Sequence, residues 1–252
     1  MRVPNDPMYL REVQYKDDSN LASRANLHAK YGTATIGWFE WLVEQVDWPA
    51  DALVLEVGCG PGWLWEVLHS LIRLVLSDLS VGMATAASAR AGAPATVADV
   101  QRLPFADETF DVVVANHMLY HVPDIPAAVG ELRRVLRPGG ALLAATNGVE
   151  SMREIAELRG AGSEFPKRFG RENGAAVLGE AFTDVTWHHY DDELRCTDAD
   201  DVVAYIASME PGELTAGERA ELRHRIEQRM VDGVFRVTKD TGAFVARNNA
   251  QP

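Results

Sequence analysis

The chain has 252 residues, of which 24 are Lys or Arg and 37 are Asp or Glu, giving a formal net charge of −13. A hydrophobic content of 47% excludes a wholly disordered chain, and the acidic balance without a Lys/Arg run argues against nucleic acid as a partner. The two cysteines, Cys59 and Cys196, form neither a disulfide framework nor a metal-ligand set. Without a signal-peptide pattern or an apolar stretch of ~20 residues, we expect a cytoplasmic protein with no membrane partner.

The N-terminal part of the chain has a helical pattern over residues 21–48, with a break near Gly32. Its apolar residues recur at roughly helical spacing and are Leu27, Tyr31, Phe39, Leu42 and Val46. Trp48-Pro49 ends this pattern. We therefore expect residues 1–50 to form a helical cap segment over a second unit, residues 51–252.

From residue 53 onward, short apolar runs alternate with helical segments. Strands are predicted at 53–57, 71–76, 95–98, 110–115 and 141–146, and helices at 62–70, 81–91 and 125–136. Ser80 is the expected N-cap of the helix at 81–91. Such alternation predicts an α/β fold with a doubly wound parallel sheet.

After residue 146 the alternation loosens. Helices are predicted at 152–158, 177–181, 200–209 and 216–231, and strands at 185–190 and 235–245. The two late strands bring the expected sheet to seven strands, mostly parallel and Rossmann-like. The late helices, at about 198–232, are expected to be an insertion that joins the N-terminal segment in a helical cap.

A glycine-rich turn follows the first predicted strand and carries Gly58, Gly60 and Gly62. Glycines at this place permit a tight turn and close approach of the backbone to a ligand. The dinucleotide fingerprint has its third glycine where this chain has Trp63, whose bulk opposes close helix–strand packing. A nicotinamide cofactor is therefore disfavoured.

Polar residues also end the next three predicted strands. Asp78 lies 20 residues after Gly58, Asp99 ends the third strand and Asn116 the fourth. A carboxylate at the position of Asp78 can accept hydrogen bonds from both ribose hydroxyls of an adenosine cofactor, and Asp99 can accept one from an adenine amino group. Because the carboxyl ends of parallel strands share one edge, these residues predict an adenosine-binding site.

Together these motifs resemble the class I S-adenosylmethionine (SAM) dependent methyltransferases, especially the branch with the ubiquinone and menaquinone biosynthesis enzymes. The segments that carry the resemblance are EVGCGPG (56–62), SDLS (77–80), ADVQRLPF (98–105), FDVVVANHMLYHV (110–122) and ELRRVLRPGGALL (131–143). The resemblance covers residues 50–147 closely, and the segment around 69–73 is short for the family. It is specific for fold and cofactor and says little about the substrate.

The resemblance also implies roles for single residues in binding SAM. Gly58, Gly60 and Gly62 would pass under its methionine part, and Glu56 would orient that turn. Asp78 would hold the ribose. The remaining contacts implied are Leu79 and Met83 on the adenine, Asp99 and Val100 at its amino group, and Asn116 and His117 near the sulfonium.

His117 and His121 are the candidate catalytic residues, because an i,i+4 pair after the fourth strand can direct both rings at the methyl group. Each histidine acts either as a general base or only as a hydrogen-bonding group, and no third ligand indicates a metal. Tyr31 is a candidate cofactor contact, because aromatic faces favour a sulfonium cation. Arg24 and His28 would share its helix face.

The leading hypothesis is methyl transfer from SAM to oxygen, nitrogen or carbon of a small-molecule acceptor, in natural-product or quinone-type chemistry, by a monomer or homodimer. One alternative is a SAM-binding protein of the same fold that transfers no methyl group. The other is a protein methyltransferase.

Overall fold

The computed structural model describes residues 19–68, 72–160, 168–210 and 212–249. In this part of the chain, seven strands form one sheet in the order β3-β2-β1-β4-β5-β9-β6, and β7 pairs with β8 in a second sheet. The strands are β1 Leu53–Val57, β2 Arg73–Asp78, β3 Ala95–Val97, β4 Phe110–Asn116, β5 Leu136–Asn147, β6 Asp184–Tyr190, β7 Glu193–Cys196, β8 Phe235–Thr238 and β9 Thr241–Arg247.

The large sheet is parallel from β3 through β5, and β9 runs antiparallel to both β5 and β6. Its central strands are apolar and buried on both faces, as expected for strands covered by helices. Along the chain, β2 and β3 are added on one side of β1, whereas β4 and β5 are added on its other side. This change of direction opens a crevice between the carboxyl ends of β1 and β4. The prediction of a mostly parallel, doubly wound, seven-stranded sheet is confirmed.

Eight α-helices lie in the described residues. They are α1 Ser19–Tyr31, α2 Trp38–Val43, α3 Val81–Ala91, α4 Ile125–Val135, α5 Arg153–Leu158, α6 Arg171–Gly179, α7 Ala199–Ala207 and α8 Ala216–Glu227. The Ser80 side chain accepts a hydrogen bond from the Met83 backbone N–H, which confirms it as the N-cap of α3. Asp124 caps α4 in the same way.

The predicted helix at 62–70 is wrong in its described part, which is a single 3₁₀ turn, Trp63–Glu66. Gly62 precedes the turn in the left-handed conformation (φ +79°). The Trp65 indole then reaches back to donate a 2.6 Å hydrogen bond to Glu56, and its ring packs edge-on against Trp48. These tertiary contacts hold the turn in place of a regular helix, and residues 69–71 lie outside the described part of the chain.

A second group of buried residues, here called the cap core, is separate from the core around the large sheet. It joins α1, α5, α7, α8, β7 and β8, and its members include Leu27, Tyr31, Ile155, Leu158, Leu194, Tyr205, Ile206, Ile226 and Phe235. Within the described residues, no helix has the length and hydropathy required to cross a membrane.

The cap core corrects two strand predictions. The predicted strand at 235–245 is two strands, β8 and β9, which belong to different sheets, and β7 was not predicted. Lys239 and Asp240 separate β8 from β9 because both side chains are largely buried and form ion pairs: Lys239 pairs with Asp192 at 2.6 Å, and Asp240 with Arg171 at 2.8 Å. The alternation of apolar and polar residues could not show that the chain passes from one sheet to the other at Lys239 and Asp240.

Candidate functional site

A cavity of about 440 Å³ lies at the carboxyl ends of the central strands, a size typical of small-molecule sites. The turns after β1, β2 and β3 form one part of it, and α1, α2, α7 and the segment after β4 form the other. Most of the predicted site residues line it: Glu56, Gly58, Gly60, Asp78, Leu79, Met83, Asp99, Val100, Asn116, His117 and His121.

The glycine-rich turn has three residues with positive φ, and each has a different surrounding. A Cβ on Gly58 would lie 2.7 Å from the Met118 side chain, whereas one on Gly60 would meet nothing within 4 Å. Gly60 therefore leaves open space where it lines the cavity. A Cβ on Gly62 would lie 3.0 Å from Ala87 of α3. Gly62 does not line the cavity and instead permits α3 to pack against the turn.

Asp78 connects the ends of β1 and β2. One carboxylate oxygen accepts a 2.9 Å hydrogen bond from Gly60 N–H and the other a 2.8 Å bond from Ser80 N–H. Burial raises the pKa of Asp78, and these backbone donors oppose that rise. Asp99 is exposed, and its carboxylate accepts hydrogen bonds from the Gln101 backbone and side chain at 2.9 Å. Two carboxylates thus line the cavity from neighbouring strand ends.

Glu56 is a buried carboxyl at the end of β1, with 1% of its surface exposed. Its pKa is raised to about 8, mainly by burial and to a smaller extent by the nearby Asp78 charge, against the lowering effect of the hydrogen bond from Trp65. Its bond to Trp65 fixes the 3₁₀ turn, so Glu56 orients the first crossover and also lines the cavity.

The segment after β4 places His117 and His121 in the cavity wall. His117 has φ +53°, a left-handed conformation that is uncommon outside glycine, and its ring centroid lies 5.0 Å from that of Trp38. Burial, with the charge of Arg24, lowers the pKa of His121 to about 4. His121 is therefore uncharged near neutral pH and a weaker base than an ordinary histidine.

Tyr31 lies apart from the cavity, which corrects its prediction as a cofactor contact. Its side chain is buried in the cap core, and its hydroxyl donates a 2.6 Å hydrogen bond to Asp201. Arg24 and His28, on the same helix, do line the cavity. The three residues share a helix, but Tyr31 is at its last position, where it packs towards β7 and α7 rather than the strand ends.

Several lining residues were not assigned to the site by sequence reasoning, including Phe39, Gln101, Met118, Tyr120 and Tyr205. Met118 and Tyr120 adjoin the predicted histidines, so their position after β4 was an available signal. Tyr205 comes from α7 and reaches the cavity because α7 packs on α1, where the Tyr205 ring contacts that of His28. No local pattern indicates that contact.

Comparison with known proteins agrees with this geometry. Residues 55–144 match the family model described as "Methyltransferase domain". Residues 55–144 form a class I methyltransferase domain. The matched range holds the four strand ends at the cavity but not α1, α2 or α7.

Curated relatives match only in part. A malonyl-[acyl-carrier protein] O-methyltransferase of Legionella pneumophila is 30% identical over 123 residues, which are 46% of this chain and 43% of that protein. A demethylmenaquinone methyltransferase of Mycolicibacterium paratuberculosis is 48% identical over 69 residues, 27% of this chain and 30% of that protein. The matches thus span less than half of these relatives' length.

Solved structures extend the likeness in fold to nearly the whole chain. A phosphoethanolamine N-methyltransferase 2 of Haemonchus contortus in complex with SAM superimposes with a TM-score of 0.63 at 15% identity, over 99% of this chain and 61% of that one. The [4+2]-cyclase SpnF superimposes with a TM-score of 0.56 at 14% identity, over 94% and 97% of the two chains. At these identities the likeness concerns the fold alone.

Proposed function

We propose that the protein transfers a methyl group from SAM to oxygen, nitrogen or carbon of a small-molecule acceptor. The observation that carries this proposal is that one cavity joins the carboxylates and glycine turn at the sheet edge to a part lined by aromatic residues. The first part has the residues of an adenosine site, and the second has room and apolar walls for an acceptor.

The residues at the sheet edge fit a SAM molecule. Asp78 accepts one backbone N–H at each oxygen, and a carboxylate oxygen can accept a second hydrogen bond, so both remain able to hold ribose hydroxyls. Asp99 is the proposed partner of the adenine amino group. Leu79, 37% exposed although apolar, and the buried Met83 would pack on the adenine ring. Gly60 leaves space for the methionine part.

Charge supports the same assignment. Among the described lining residues the carboxylates are Glu56, Asp78 and Asp99, and they lie in the part of the cavity formed by β1, β2 and β3. SAM supplies an electrophilic methyl group on a positively charged sulfur, and the two acidic groups Asp78 and Asp99 favour a cationic ligand. The protein's own contribution to the reaction is to align the acceptor and exclude water. His117 is the proposed base where the acceptor must lose a proton.

Calorimetric titration of the whole chain with SAM and S-adenosylhomocysteine tests the cofactor. We expect micromolar binding of both, no binding of NAD, and at least tenfold weaker binding to Asp78→Ala. The matched control is Asp47→Ala, whose side chain is 97% exposed. Failure of the chain to bind either nucleoside, or equal binding by the Asp78 and Asp47 variants, would refute the proposal.

Methyl transfer is a separate question, because some relatives have other activities in their names. An arginine-hydroxylase of Danio rerio is 32% identical over 106 residues, and SpnF is named a cyclase. Two incubations with methyl-labelled SAM distinguish the acceptors: one contains the chain and a metabolite extract, and the other contains the chain and extract proteins. Label in small molecules supports the proposal, label in proteins indicates a protein methyltransferase, and SAM binding without any transfer favours a non-methylating protein.

A further inference from the structure

Gln101 lines the cavity beside Asp99 and connects two parts of the chain. Its side-chain amide nitrogen donates to both carboxylate oxygens of Asp99, just after β3, at 2.9 Å each. Its amide oxygen accepts a 3.0 Å hydrogen bond from the backbone N–H of Asp124, the N-cap of α4. Because the nitrogen of an amide only donates and its oxygen only accepts, these two partners fix the orientation of the Gln101 amide.

The hydrogen bonds from Gln101 leave a defined part of the Asp99 carboxylate for a ligand. Oδ1 accepts from both the backbone and the side chain of Gln101, whereas Oδ2 accepts from the side chain. Each carboxylate oxygen has about two acceptor positions. Within the described residues, the open position is therefore on Oδ2, and Asp99 is exposed where it lines the cavity.

The backbone after Asp99 is held without help from the Gln101 side chain. The backbone N–H of Leu103 donates a 2.7 Å hydrogen bond to Glu131 of α4, and Arg134 of the same helix donates to the Leu103 carbonyl at 3.1 Å. These bonds already fix the segment to α4. The contribution that remains for the Gln101 side chain is to fix the rotation of the Asp99 carboxylate.

We propose that Gln101 is a positioning residue that holds the Asp99 carboxylate with Oδ2 directed at the 6-amino group of adenine, and so makes the cofactor site select adenosine over inosine. This proposal rests on the proposed function and deepens it. Adenine presents an N–H donor at this position, whereas hypoxanthine, the base of inosine, presents a carbonyl oxygen. A carboxylate that Gln101 holds in place cannot turn away from that oxygen, so two acceptors face each other and hypoxanthine is rejected.

Calorimetric titration of the whole chain with S-adenosylhomocysteine and with S-inosylhomocysteine, its 6-oxo counterpart, measures this selectivity. We expect S-adenosylhomocysteine to bind about tenfold more tightly than S-inosylhomocysteine at pH 7. Binding of neither compound would refute the proposed function. Equally tight binding of both would leave the proposed function standing and overturn the role of Gln101.

A double-variant cycle shows whether Gln101 acts through Asp99. Gln101→Met removes both hydrogen bonds of the side chain but keeps its length, and it should reduce the preference for S-adenosylhomocysteine by about threefold or more. Asp99→Ala should abolish the preference, and Gln101→Met added to Asp99→Ala should then change neither affinity further. Additive losses in the double variant would show that Gln101 acts independently of Asp99 and would overturn the proposal.

Gln101→Glu separates the two contacts of the side chain. A glutamate oxygen still accepts the Asp124 N–H but cannot donate to Asp99 unless it is protonated. The preference should therefore fall at pH 7 and return as the pH is lowered to about 5, because two facing carboxylates come to share a proton. Titration elsewhere in the cavity cancels, because the two ligands differ only in the base. No recovery, or an equal recovery in Gln101→Met, would contradict the assignment.

Gln228→Met is the matched control, because the Gln228 side chain bonds to His224 on α8 and does not line the cavity. It should leave both affinities unchanged. Gln101→Met should keep the wild-type melting temperature to within about 2 °C, because water can replace its exposed bond to Asp124. A lower melting temperature with unchanged preference would show that Gln101 is merely structural.

Discussion

Glu56 gives the sharpest test of the site's electrostatics, because its burial predicts a pH dependence of stability. In the unfolded chain its carboxyl would titrate near 4.5, and in the folded protein burial raises the pKa to about 8. Between these values the folded state binds more protons than the unfolded state. The contribution of Glu56 to the free energy of unfolding therefore falls as the pH rises from about 5 to about 8.

The magnitude follows from the difference between the two pKa values. At ~1.4 kcal/mol per pKa unit, the loss of stability between pH 5 and pH 8 is about 3 kcal/mol. Glu56→Gln removes the titration but keeps an oxygen that can accept the Trp65 N–H bond. Relative to wild type, the variant should therefore gain about 3 kcal/mol in unfolding free energy over that pH range.

Urea unfolding at pH 5, 6, 7 and 8 measures this slope in the absence of ligand. Glu44→Gln, at an exposed position just after α2, is the matched control and should run parallel to wild type. If Glu56→Gln also runs parallel to wild type, the carboxyl is not protonated in the folded protein. The explanation of its pKa by burial would then be wrong.

Two further sets of substitutions test the turn and the cap. Gly60→Ala should weaken S-adenosylhomocysteine binding but reduce the free energy of unfolding by only ~1 kcal/mol, because the added Cβ meets nothing within 4 Å. Gly62→Ala should reduce the free energy of unfolding by ~2 kcal/mol or more, because the added Cβ contacts Ala87, and should leave that affinity nearly unchanged. Urea unfolding with calorimetry checks both, and the reverse order would refute the roles given to the two glycines. Lys239→Met removes the cation paired with the buried Asp192 carboxylate, which keeps its backbone donors Thr33 and Ala34, and should cost ~3 kcal/mol. Asp192→Asn in the same chain should restore part of this loss, and a single-variant cost under ~1 kcal/mol in urea unfolding would contradict the assignment.

Elements with complete local signals could be predicted from the sequence to within about a residue. The bounds predicted for β1 and α3 agree with the structure, because an apolar run ends in glycines in one case and Ser80 and Gly92 cap both ends in the other. The carboxylates Asp78 and Asp99 follow from the same logic, since parallel strands bring their carboxyl ends to one edge whatever the side-chain details.

Elements that depend on distant contacts could not be predicted. The 3₁₀ turn after Gly62 is set by the bond from Trp65 to Glu56, and the separation of β8 from β9 by the pairing of Lys239 with Asp192. In each case a polar partner outside the element, nine residues away for Trp65 and 47 for Lys239, overrides a local pattern that favoured a longer regular element. Tyr31 shows the same limit: helical spacing gave its phase on α1 but not which side of α1 meets α7.

The cavity therefore has two parts with different structural origins. The proposed cofactor part is built mainly from backbone turns of the large sheet, where Gly60 and Ser80 are fixed to Asp78 by main-chain hydrogen bonds. The proposed acceptor part is lined mainly by side chains of helices, among them Trp38 of α2, which packs against the core of the large sheet, and Tyr205 of α7, which belongs to the cap core. A side chain in the second part can change without altering the strand register that forms the first. For this reason we expect Tyr205→Phe, which keeps the ring, to leave S-adenosylhomocysteine binding measured by calorimetry within about threefold of wild type; a larger loss of affinity would show that the two parts are coupled.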